Sequence, residues 1–247
     1  MNQPNLELPS TASPQQAKTV ATLWNTAIHE AAHAVVAVYY GIPVLEACVE
    51  GAGKGFICLD KPKLESHLYA PDSRRYMSKQ SVMGYAGFIA VHKLKPEVVG
   101  SWESGLSDWK LNAAWLWWLW ETVLYKRRSS RYPDRKRLLT EAEIEQILAR
   151  RARRLLLISR HLVHGLFPVI EIVAGVLIEN EWLTGDELVM LAGPLIDKFR
   201  TNLAARPVAG HNDYEFTVPP DVQRMPRPKS YRILGTKRIR RCPIAKQ

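Results

Sequence analysis

The chain of 247 residues is long enough for one large domain or a domain with a tail, and its 47% hydrophobic content is ordinary for a globular core. A formal net charge of +10 favours acidic partners, anionic membrane surfaces or nucleic acid without selecting among them. Cys48, Cys58 and Cys242 are an odd set without metal-ligand spacing, which argues against a cysteine-based metal centre and against a disulfide framework.

Residues 1–18 are polar, include Pro4, Pro9 and Pro14, and are expected to form a flexible N-terminal segment. They lack the basic-then-apolar pattern of a secretory signal, so the expected location is cytoplasmic. Cys48 and Cys58 then serve as small apolar strand residues rather than a disulfide. A helix is expected over 19–40, ended by Gly41 and Pro43. Residues 44–50 and 55–60 read as two strands of a hairpin with its turn at 51–54. Gly53-Lys54 is no phosphate-binding loop, because Gly55 follows where Ser or Thr is required.

A second helix is expected over 72–94, where Gly84 and Gly87 suggest close approach of the helix backbone to a neighbour. A third covers 107–128, followed by a basic loop. Thr140 and Glu143 form a capping box that opens a helix to about residue 162. Pro168 suits the first turn of the next helix. Thr184 and Glu187 form another capping box before a last helix to about residue 204.

Two stretches, 113–120 and 166–178, are strongly apolar. Glu121 and Glu171 interrupt them short of the roughly 20 residues a membrane span needs, so buried helices are expected instead. Trp115, Trp117, Trp118 and Trp120 cover several helix faces and leave a membrane-surface or partner contact open. The basic runs 126–137 and 150–154 would suit phosphate contact, but no nucleic-acid motif accompanies them. From Arg206 the chain becomes Pro-rich and basic. The expected organisation is a flexible segment 1–18, a mainly α domain with a small β-hairpin or sheet over 19–205, and an extended tail over 206–247.

The chemistry concentrates in His29-Glu30-Ala31-Ala32-His33, inside the first helix. Residues four apart share a helix face, so both imidazoles reach one metal ion, with bonds of roughly 2.0–2.1 Å for zinc. Glu30 then stands where it can take a proton from a water held at the metal. This is the H-E-x-x-H arrangement of zinc peptidases. Ile28, Val35, Val36 and Val38 mark the helix as largely buried, where two His and a Glu are costly without a shared partner. A catalytic zinc needs a third protein ligand. The polar loop 101–110 offers Glu103 and Asp108, and either is open on the residues alone.

The segment His-Glu-Ala-Ala-His-Ala resembles the motif of the FtsH-type zinc metalloproteases, peptidase family M41, which usually read His-Glu-Ala-Gly-His-Ala. Four later segments follow in the family's order. Residues 43–60 are similar to its β-hairpin, and Val82-Met83-Gly84-Tyr85-Ala86-Gly87 to its Gly-Gly-Arg-Ala helix. Ser104-Gly105-Leu106-Ser107-Asp108 resembles its Thr-Gly-Ala-x-Asn-Asp segment, and residues 177–188 its closing Leu-Leu-Glu-x-Glu-x-Leu-Asp-Gly-Glu-Glu-Leu. Ala32 replaces the usual Gly, and Phe88 and Ile89 stand where a Glu pair is usual.

The resemblance implies a zincin-type helical peptidase domain with His29, His33 and Asp108 on zinc and Glu30 as general base. Substrate would add as a strand along the hairpin, at Val49, Gly55, Phe56 and Ile57. The expected activity is endopeptidase cleavage of flexible or unfolded polypeptides. The family's ATPase half is not in this sequence, so an unfoldase in trans is an expected partner. Homo-oligomers are implied by the hexameric rings of the relatives. Two alternatives stay open: a catalytically silent, metal-stabilised binding or regulatory protein, and a basic nucleic-acid or membrane-surface adaptor.

Overall fold

The computed structural model describes residues 14–60, 71–94 and 141–205. The expected third helix, the Trp-rich stretch, the basic run 126–137 and the tail 206–247 lie outside them. The described part is mostly helical with one small antiparallel sheet. In chain order it contains α1 (Pro14–Tyr40), β1 (Val44–Gly51), β2 (Lys54–Leu59), α2 (Pro71–Leu94), α3 (Glu141–Asn180), β3 (Trp182–Thr184) and α4 (Gly185–Ala205).

The centre of the fold is α1. Ala27, Ile28, Ala31, Ala32, Ala34, Val35, Val36 and Ala37 are all fully buried, because α2, α3 and the sheet enclose the helix. Its many alanines let those neighbours approach closely. The helix begins at Pro14, earlier than residue 19, so part of the segment expected to be flexible is helical. Pro suits this position, since the first helical N–H has no partner within the helix.

At its other end, Gly41 takes φ = 65°. The Gly41 N–H donates to the Val38 carbonyl at 3.0 Å, and the Ile42 N–H donates to the Ala37 carbonyl at 2.9 Å. This pair of bonds satisfies two carbonyls that the helix end would otherwise strand. Ile42 is then buried in the core.

The hairpin forms where the alternation predicts it. Cys48 pairs with Phe56, Ala47 with Ile57 and Val49 with Gly55. The register slips between Val44 and Glu46 and again between Val49 and Gly51. Each slip places one extra residue, Leu45 and Glu50, on the bulged strand, and both are exposed. The turn is tied to α1: the Gly53 N–H donates to Thr26 Oγ1 at 2.8 Å, and that hydroxyl donates to the Thr22 carbonyl at 2.9 Å.

Two expectations are corrected. The first is the sheet, which has three strands in the order β2-β1-β3. Cys48 pairs with Trp182 and Ala47 with Leu183. Three residues are too few for alternation to reveal a strand. Glu181, with φ = 65°, turns the chain from the end of α3 into β3.

The second correction concerns Pro168, which does not open a helix. It lies inside α3, which continues unbroken from Glu141 to Asn180. Proline removes one helical hydrogen bond, here the one to the His164 carbonyl. Pro168 and His164 are both on the exposed side, where water can serve that carbonyl. Buried Leu166, Phe167, Val169 and Ile170 hold the flanking turns against the core. Among the described residues, Gln146–Asn180 is the one stretch long and apolar enough to cross a membrane, and half of its most apolar window is buried within the fold.

Helix α3 begins at Glu141, and Thr140 of the first expected capping box lies outside the described residues. At α4 the Glu187 N–H donates to Thr184 Oγ1 at 3.2 Å, and the Thr184 N–H donates to Glu187 Oε2 at 2.8 Å. The Thr184 N–H, and then the Thr184 hydroxyl donating at 2.7 Å, hold the Glu187 carboxyl below its ordinary range. Arg200 near the end of α4 donates to the Tyr39 carbonyl and lies 5.0 Å over the Tyr39 ring, which ties α4 to the end of α1.

Candidate metal centre

Helix α1 presents His29, Glu30 and His33 in the middle of this packing. His33 is 6% exposed and Glu30 is 8% exposed. Polar groups this deep are costly unless they are paired. The pairing of His33 is specific: its Nδ1 lies 2.8 Å from the Met83 carbonyl of α2. A carbonyl only accepts, so the proton sits on Nδ1, and in the neutral ring Nε2 carries the lone pair.

That Nε2 lies 3.0 Å from His29 Nε2, and the two rings meet edge to face with centroids 4.7 Å apart. Without a metal, the His29 Nε2–H donates into the His33 lone pair. The distance also suits a shared ion, since two nitrogens on a tetrahedral zinc are about 3.3 Å apart. A backbone carbonyl behind a ligating histidine fixes its tautomer and raises its basicity. The chemistry and spacing of these two nitrogens are compatible with a zinc ion, which His29 and His33 could hold between them.

Two glycines leave room for this arrangement. A Cβ at Gly87 of α2 would lie 2.5 Å from His33 Nε2 and 2.8 Å from His29 Cδ2 and Cε1. At Gly87 the expected close approach of the α2 backbone to a neighbour is thus realised, against the two imidazoles. A Cβ at Gly55 of β2 would lie 2.6 Å from Glu30 Cγ and 3.1 Å from Glu30 Cδ. The Glu30 carboxyl stem accordingly passes directly under β2.

Asp108 and its rival Glu103 lie outside the described residues. Among the described residues, no group of three or more His, Cys, Asp or Glu is arranged to hold a metal. The four residues expected to meet substrate separate into two kinds. Gly55, Phe56 and Ile57 lie on β2, an outer strand whose one strand neighbour among the described residues is β1. Val49 lies on the central strand, is 4% exposed, and donates its N–H to the Glu181 carbonyl at 2.8 Å. Its backbone is already used within the sheet, so it supports β2 from behind.

The opposite face of the sheet carries Cys48, Cys58, Phe56 and an exposed Trp182. Cys48 and Cys58 are not joined in a disulfide. Burial pushes the Cys48 thiol up, and Glu50, Glu46, Glu181 and Glu30 add to the effect. A Cys48 thiol kept neutral in this way is a poor nucleophile.

The Met83 carbonyl was not foreseeable, because a backbone acceptor has no residue signature. The glycine at position 87 was the visible trace of the same contact. The chain matches no protein-family model and no curated protein.

Proposed function

We propose that this protein is a zinc-dependent endopeptidase acting on flexible or unfolded polypeptides. His29, His33 and Asp108 would hold the metal, and Glu30 would be the general base. One observation carries the reading: two imidazole nitrogens four residues apart meet at 3.0 Å, with one ring locked by a backbone carbonyl. Such a pair, with a buried glutamate directly after its first member, supports metal chemistry over plain packing.

When bound, zinc supplies Lewis acidity for the scissile carbonyl and raises the acidity of water. Glu30 takes the proton of the attacking water on a carboxylate oxygen and delivers it to the leaving amine nitrogen. Its stem lies against Gly55, so the base sits beneath the outer strand along which an extended peptide would pair. Main-chain pairing reads little side-chain identity, which suits cleavage of unstructured segments. Retention of a glutamate at position 30 favours turnover over a purely structural metal site, which has no use for a base there.

The test compares the purified protein with Glu30→Gln for metal content and for cleavage of unfolded casein. Stoichiometric zinc in both, with cleavage by the unaltered protein alone, is the expected result. Absence of zinc from both would overturn the reading. Zinc in both without cleavage would leave a metal-stabilised binding protein.

A further inference from the structure

A second cleft, of about 190 Å³, opens between α2 and α3. Ile89, Leu156 and Leu157 form its apolar floor. Lys93 and His92 come from the last turn of α2, and Arg160 and His164 from the middle of α3. None of these residues belongs to the histidine pair. The volume corresponds to about six waters at roughly 30 Å³ each, enough for one tetrahedral anion and a short carbon stub.

The charges are set by the fold. The Lys93 ammonium lies 3.9 Å over the Phe167 ring, which holds the long side chain at the cleft. Burial pushes the Lys93 ammonium below its ordinary range, and nearby Glu171 opposes that shift in part. His164 is pushed towards its neutral form by burial, then by Lys93, Arg160 and His161. A lysine, an arginine and two imidazoles thus converge from facing helices on one small volume. Such a set answers a ligand with a double negative charge and several acceptor oxygens, which a guanidinium fork and an ammonium bind together. Exposed Leu157 and Ile158 add apolar surface on the same turn of α3.

We propose that this cleft binds a phosphate group, presented by a soluble phosphomonoester or by a lipid headgroup, with Lys93 and Arg160 as its charge partners and His92 and His164 as additional donors. The site is independent of the peptidase reading.

The full chain would be titrated with inorganic phosphate at constant ionic strength while the histidine ring signals are followed by NMR. Saturable shifts at His92 and His164 are expected. Lys93→Gln and Arg160→Gln should each weaken binding at least about tenfold, while Lys93→Arg should retain it. Arg150→Gln, on the same helix but outside the cleft, should leave it unchanged. No saturable shift, or equal weakening by Arg150→Gln, would overturn the proposal. Circular dichroism of each variant separates lost binding from lost folding. Sedimentation with phosphatidylcholine vesicles, with and without phosphatidic acid, distinguishes the sources. Recruitment by phosphatidic acid that Lys93→Gln abolishes assigns the lipid headgroup. Phosphate binding without recruitment assigns a soluble phosphomonoester.

Discussion

At Gly87 a single hydrogen atom separates a usable pair of imidazoles from a blocked one. A methyl group there would overlap His33 Nε2 and the His29 ring, and both rings are held by a buried helix that cannot yield. Gly87→Ala should therefore weaken zinc binding by about 10–100-fold, the range seen when the surroundings of a ligand are disturbed. Competition with a chromophoric chelator measures this, and unchanged affinity would contradict the placement. Gly55→Ala presses instead on the stem of Glu30. It should retain zinc while casein cleavage falls. The two alanine variants thus separate the metal from the base without altering either directly.

At the scale of elements, helix ends and the helix interrupted by proline make the clearest claims. Thr184→Ala removes the acceptor for the Glu187 N–H and should lower Tm by about 2–4 °C. The partner in that box is a carboxylate whose folded pKa is depressed, chiefly by the Thr184 N–H. Its contribution is present above the ordinary carboxylate range and is lost as pH falls through the depressed value. The gap in Tm between the unaltered protein and Glu187→Gln should therefore shrink in acid. Equal gaps at neutral pH and in strong acid would rule out the ionised box. Pro168→Ala should raise stability by about 1–3 kcal/mol, because α3 is continuous and the exposed ring contributes little packing. A urea titration that gave a lower midpoint would show that the proline is needed where it stands.

Across the whole molecule, metal binding at the histidine pair, as proposed, would be coupled to folding. His29 and His33 lie on α1, the Met83 carbonyl on α2, and both helices pack on α3. An ion that binds the folded state alone stabilises it by mass action, by about 2.7 kcal/mol at one hundred times its Kd. Zinc should raise Tm equally for the unaltered protein and for Glu30→Gln, since neither lacks a ligand. His33→Ala should lose that rise and also the bridge to α2. A rise retained in His33→Ala would place the metal elsewhere.

Much of this was legible in the sequence because it depends on local chemistry. The four-residue spacing of His29 and His33 places both on one helix face whatever surrounds them. Gly41, the hairpin alternation and the Thr184–Glu187 box act within a few residues, and each lies where local rules put it. The rest was decided by tertiary contact. Strand β3 exists because β1 offers its edge, and three residues carry no period of their own. Helix α3 runs through Pro168 because buried neighbours on both sides outweigh one lost hydrogen bond. The tautomer of His33 depends on a carbonyl fifty positions away, and Val49 belongs to the sheet interior because β3 occupies its far side. The sequence by itself determined which groups could share a metal. Only the packed structure decided how the rings are held, since orientation comes from groups that are neighbours in space and not along the chain.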